Sequence, residues 1–130
     1  MRYFIGNWKM FGVPKSISIL NTINSFYSKD KNRNKYRVII TPPYTLIESY
    51  SKYFKKKKIS IGAQNCYQKE QFSSNTAAIS PYMLKSVGAK YTLVGHSDNR
   101  GEGDTDTMLK NKVRYALNNN LKVVFCIGEN

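Results

Sequence analysis

The chain has a single histidine, His96, among 130 residues. It follows Tyr91 to Val94, a short apolar run of strand character, and Gly95, which stops that run. A polar segment then leads to Asp104 and a new helical pattern. An imidazole at the carboxyl end of a buried strand, just ahead of backbone N–H groups that open a helix, is poised to act on a carbonyl or an oxyanion. Asn7 and Lys9 stand at the end of the first apolar run, two residues apart, so an extended backbone points both to one side. An ammonium and an amide together suit an anionic, oxygen-rich ligand. Taken singly, a histidine after a strand is commonly structural, and Asn-x-Lys is commonly a solvated strand end. Convergence of all three on one rim would make them a site.

Whether they converge depends on the elements that carry them. Arg2 to Asn7 reads as the first strand. Pro14 opens a helix whose stripe is Ile17, Leu20, Ile23, Phe26 and Tyr27, at steps of three and four. Ser28 to Lys35 is a polar loop, and Tyr36 to Thr41 is a strand stopped by Pro42-Pro43. Leu46, Ile47, Tyr50 and Phe54 mark a second helix, and Ile59 to Ala63 a third strand. Gln64 to Asn75 has no clear period and reads as a long loop, a kind of segment that is usually functional or mobile. Ser80-Pro81 starts a short helix that Gly88 ends, followed by the strand Ala89 to Val94. After a polar connection comes a helix from about Asp104, with Leu109, Val113, Ala116 and Leu117 as its buried stripe. Leu121 to Ile127 is the fifth strand. The order β-α-β-α-β-α-β-α-β with apolar strands implies an α/β fold, a parallel sheet covered by helices. Ligands bind such sheets at the carboxyl ends of the strands, where Asn7, Lys9 and His96 all fall.

Composition narrows the class. An apolar fraction of 41%, with 10 Tyr and 6 Phe, is that of a globular protein, and the length is that of one domain, residues 1–130. No run approaches the ~20 apolar residues of a membrane span, and the start lacks a secretory pattern. Cys66 and Cys126 have neither metal-ligand nor redox-motif spacing and fit reduced thiols in a cytoplasmic protein. The net charge of +13 invites a nucleic-acid reading. The lysines are dispersed, however, and the densest group, Lys55 to Lys58, sits at a helix end where cations complement the dipole. Such a surface steers anionic small substrates and does not require nucleic acid.

Five segments, Gly6-Asn-Trp-Lys-Met10, Thr41-Pro-Pro43, Gly62-Ala-Gln-Asn65, Val94-Gly-His-Ser97 and Cys126-Ile-Gly-Glu129, resemble in order and spacing the strand-end motifs of the triosephosphate isomerase family. The resemblance covers the amino-terminal half of that family's chain. It implies a TIM (β/α)8 barrel, of which this segment would hold the first five strands and four helices. It also implies interconversion of dihydroxyacetone phosphate and glyceraldehyde 3-phosphate through an enediolate, with no metal and no cofactor. Carried over by position, Lys9 would lie beside the substrate's phosphate and oxygens and favour developing negative charge, and Asn7 would help bind substrate. His96, as neutral imidazole, would donate to the carbonyl and shuttle a proton between the two oxygens. Ser97, Asp98 and Cys126 would support them. The full-length protein would be a homodimer joined through the third loop, to which Thr76 belongs.

Departures from the pattern carry expectations of their own. Asp98 stands where the family usually has Glu, which shortens the reach toward Lys9 by one methylene. The family's loop commonly ends Thr-Gly-Glu; here it reads Thr76-Ala-Ala-Ile-Ser80, with Ala78 for the Glu. The Arg that meets that Glu across the dimer is matched by Asn99, so both partners of the salt bridge are replaced together. The family's catalytic base, lid and main phosphate loops belong to its second half, so the 130-residue segment alone is expected to be inactive, with bare edges on its first and fifth strands. Two other readings compete. One is a non-catalytic half-barrel acting as a dimerisation or interaction module. The other is a nucleotide-binding doubly wound domain, which would want a glycine-rich fingerprint where Gly6-Asn-Trp-Lys stands.

Overall fold

The computed structural model describes residues 1–128; Glu129 and Asn130, the end of the fifth motif, lie outside them. Five parallel strands run in the order β1 (Arg2–Asn7), β2 (Tyr36–Thr41), β3 (Ser60–Ala63), β4 (Tyr91–Val94) and β5 (Lys122–Phe125), each beside its neighbour in sequence. The helices are α1 (Ile17–Lys29), α2 (Tyr44–Phe54), α3 (Pro81–Ser86), α4 (Ser97–Gly101) and α5 (Asp106–Asn118). Together they form a half-barrel. Their starts follow local chemistry. Ser80 Oγ accepts from the Met83 amide and Pro81 takes the first position of α3, while Thr105 Oγ1 accepts from Met108 at the start of α5.

The core lies between sheet and helices. Leu46, Ile47, Tyr50 and Phe54 of α2 are all buried, and each such side chain contributes roughly 1.5–3 kcal/mol over its exposed state. Ile40, Ile61, Ala63 and Val94 meet them from the strands, together with Leu20, Leu84, Leu109 and Ala116 from the other helices. Ile39 and Leu93 are buried as well, on alternate positions, so the middle strands are covered on both faces.

The flanks differ from the expectation of uniformly buried strands. Tyr3, Phe4 and Ile5 of β1 are exposed, as is Phe125 of β5. The same cause removes two residues from the buried stripes. Phe26 of α1 is 78% exposed and lines an open hollow beside Phe4, and Leu117 of α5 is 55% exposed beside Phe125. Both helices present these residues to the edge strands β1 and β5, beyond which no further strand pairs among the described residues. Two expectations about the chain's course also change. There are five α-helices and not four, because the supposed polar connection after His96 folds as α4, one turn too short to show a period. Pro14 opens a 3₁₀ turn, Pro14–Ser16, which leads into α1.

Candidate active site

Parallel register brings the strand ends to one rim. Asn7 pairs with Thr41 across β1 and β2, and Val94 with Phe125 across β4 and β5. The strand stops at Asn7, so Lys9 does not continue an extended backbone as the sequence pattern suggested. Asn7 Oδ1 accepts from the Lys9 amide at 2.9 Å, and Lys9 takes a left-handed φ of 51°. A turn, not strand alternation, therefore puts both side chains on one side. Trp8, between them, donates its amide to Thr41 O and packs its ring edge-on against Tyr50 in the core. That anchors the turn from below.

His96 begins α4 as its cap. Its Nδ1 accepts from the Asp98 amide at 3.1 Å, which requires a free lone pair on Nδ1 and puts the proton of neutral imidazole on Nε2. An Asp98 carboxylate oxygen lies 3.5 Å from the same Nδ1. One nitrogen cannot both accept from the amide and donate to the carboxylate, and the amide is the shorter, directional contact. Gly95, before His96, has φ 80°, and a Cβ there would come within 2.8 Å of Arg100 Nη2. Only glycine fits this bend. Arg100 uses the space, donating Nε to Gly95 O at 2.8 Å and Nη2 to Cys126 O at 3.1 Å.

Asn7, Lys9, His96, Asp98 and Asn99 share the wall of one cavity of about 590 Å³. A larger hollow, about 970 Å³, opens at the β1 flank and includes none of the strand-end polar groups. Despite its shorter side chain, Asp98 reaches Lys9: Oδ2 lies 3.4 Å from Nζ, with both side chains more than half exposed. Such a pair is worth about 0–1 kcal/mol. Ser97 opens α4 as an exposed residue outside the cavity wall. Cys126 is held by its backbone, its amide donating to Val94 O and its carbonyl accepting from Arg100. Burial pushes its thiol pKa up against the opposing pull of the Arg100 charge, so it is a thiol at neutral pH. Thr76 lies exposed on the third loop and does not line the cavity. Beside it Ala77 holds a left-handed φ of 62° where the family pattern has glycine.

Three sets of groups escaped the sequence reading. Gln64 Nε2 donates to Lys9 O at 2.8 Å and to Thr41 O at 2.9 Å, joining the turn after β1 to the end of β2. Arg100 is the second. The third is Lys112, nearly buried, whose Nζ lies 2.7 and 2.8 Å from the Asp104 oxygens and 3.1 Å from Asn65 Oδ1. The motif Gly62-Ala-Gln-Asn65 was the available signal for Gln64 and Asn65. Nothing in a lysine at a helical position marks it as buried. Among the described residues, no group of three or more His, Cys, Asp or Glu is placed to hold a metal ion.

Comparison with known proteins agrees with this geometry. The family model described as triosephosphate isomerase matches residues 2–130. Curated triosephosphate isomerases of Herpetosiphon aurantiacus, Bacteroides fragilis and Cytophaga hutchinsonii are 34%, 38% and 39% identical over 126 residues, which is 95% of this chain and 49% of each relative. The crystal structure of triosephosphate isomerase from Bartonella henselae superposes with a TM-score of 0.90 at 30% identity, covering 98% of this chain and 52% of that one. The chain thus spans about half the length of the proteins it matches. A parallel half-barrel with these strand-end motifs, matched by the family model from residue 2 onward, belongs to the triosephosphate isomerase family.

Proposed function

We propose that this chain supplies the electrophilic and cationic part of a triosephosphate isomerase active site. It would do so as the amino-terminal half of one barrel domain. The observation that carries the reading is the shared cavity of Asn7, Lys9 and His96, with the His96 proton on Nε2. With Nδ1 occupied by the Asp98 amide, Nε2–H is the donor available to a substrate carbonyl oxygen. Removing the adjacent carbon proton builds negative charge on that oxygen, and the donor and the Lys9 ammonium stabilise it more than they stabilise the ketone. His96 then carries the proton between the two oxygens of the enediolate. Asp98 is the carboxylate of this cavity among the described residues, and it is paired with Lys9. The carbon base therefore comes from the part of the barrel that the relatives have in addition. The remaining barrel strands would also cover the apolar flanks at Phe4 and Phe125.

The same reading includes a homodimer formed through the third loop, without the salt bridge that Ala78 and Asn99 remove, and a cytoplasmic location, which the two free cysteines support. No described helix is long and apolar enough to cross a membrane. The test is isomerase activity of the full-length gene product. It should interconvert the two triose phosphates, and His96→Gln should lower kcat by about 10²–10⁴-fold. An active protein whose His96→Gln variant keeps its turnover would refute the assignment.

A further inference from the structure

Lys9 carries its charge on a turn that should not be stable on its own. A left-handed backbone costs an L-residue other than glycine about 1–2 kcal/mol, and the Lys9 side chain is more than half exposed, so little packing holds it. What holds it is a grip on both of its backbone polar groups. Asn7 takes the N–H, and Gln64 takes the C=O. Gln64 is fixed in turn, because its second hydrogen bond goes to Thr41 O, and Thr41 is fully buried. The next residue, Asn65, accepts from the buried Lys112 ammonium, which pins this stretch of backbone from the other side.

We propose that Gln64 is a positioning residue for Lys9. It keeps the turn in its left-handed state and so keeps the ammonium over the cavity that His96 shares. The inference rests on the isomerase reading for its effect on turnover, but the structural claim stands apart from it. Gln64 does not itself have to meet substrate: both hydrogens of its amide are committed to backbone carbonyls. Its effect therefore passes through Lys9 and should vanish when Lys9 is gone.

That property defines the experiment. Gln64→Met keeps the length and apolar stem of the side chain while removing both donors. In the full-length gene product, with folding checked by thermal melting, Gln64→Met should lower kcat/KM by about tenfold or more, since displacements of an ångström are costly in a positioned site. In a Lys9→Ala background the same change should matter by less than about twofold, because a group that acts through another loses its effect with it. An undiminished kcat/KM in the first background, or an equal loss in both, would overturn the proposal. If Gln64→Met does not fold, Gln64→Asn, one methylene too short to span both carbonyls, is judged by the same cycle. If the unsubstituted protein does not interconvert triose phosphates, the isomerase reading falls and a crystal structure of the Gln64 variant decides the positioning claim. Lys9 leaving the left-handed region sustains it, and Lys9 keeping its positive φ overturns it.

Discussion

Two lysine–aspartate pairs sit about one strand apart in this molecule and do opposite things. Lys112 and Asp104 meet at 2.7 Å with side chains 4% and 8% exposed, and Asn65 accepts a further hydrogen bond from the ammonium. Lys9 and Asp98 meet at 3.4 Å with both side chains more than half exposed. The first pair has surrendered its water and must keep every partner it has. The second keeps water and holds its partner loosely, which leaves the Lys9 ammonium able to exchange Asp98 for another anion. A rigid pair beneath the third loop and a loose one at the cavity is the division of labour a binding rim requires.

The buried pair is where the largest effect is expected. Lys112→Met leaves the Asp104 carboxylate without its cation in a nearly closed site, and removing one partner of a buried pair typically costs about 3–5 kcal/mol. Urea unfolding of Lys112→Met should show a loss of that size; a loss under 1 kcal/mol would mean that water already reaches Asp104. Replacing both members, as Lys112→Met with Asp104→Leu, removes the stranded charge and should recover most of the stability. If the double variant were as unstable as the single one, the cost would lie in lost shape and not in charge.

Cysteine reactivity extends the contrast to chemistry. Cys66 is buried, donates its thiol to Lys112 O at 3.8 Å, and has its pKa pushed up to about 11 by burial, with the Lys112 charge pulling the other way. Lifting a thiol pKa by about two units cuts its thiolate fraction near pH 8 by roughly a hundredfold, before any steric protection is counted. Cys126 is only half-buried. An alkylating agent at pH 8 should therefore modify Cys126 first by a wide margin. In Lys112→Met the gap should narrow as the structure over Cys66 opens more often. Equal rates in the unsubstituted protein would contradict the packing around Asn65 and Lys112.

The sequence made the rim legible and the supports beneath it illegible, for a physical reason. Strand order, Asn7, Lys9 and His96 follow from apolar periodicity and strand-end position, which are local properties. So does the Ser80-Pro81 start of α3. Lys112 meets Asp104 at a spacing of eight residues and Asn65 from another element altogether, and only tertiary folding creates that contact. Asp104, read as a helix-end charge, is instead one half of a buried pair. Helix α4 escaped because five residues, Ser97 to Gly101, carry no apolar stripe; a cap at His96 and an arginine tied to Gly95 and Cys126 hold it. Phe26 and Leu117 obeyed the helical period and are exposed nonetheless, because a period says which face is apolar and not what covers it.

The smallest expected effect on stability belongs to the exposed pair, and it is the most diagnostic. Lys9→Met should change the unfolding free energy by no more than about 1 kcal/mol, since an exposed ion pair gains little beyond the entropy it loses. Loss of the pair should matter still less in 1 M salt, where the screening length is about 3 Å and comparable with the contact itself. A cycle of Lys9→Met and Asp98→Asn, run at low and high salt, isolates the pair from the rest of each side chain. A coupling that stays within about 1 kcal/mol and shrinks with salt is what a solvated, exchangeable lysine predicts. Should it exceed about 2 kcal/mol and ignore salt, Asp98 would be a structural lock on Lys9. The ammonium would then not be free to meet a phosphate or an enediolate at the cost its exposure implies. Turnover of the full-length protein should move the other way: Lys9→Met, nearly silent in stability, should remove most of the activity, because charge that matters little to folding is stabilising a transition state instead.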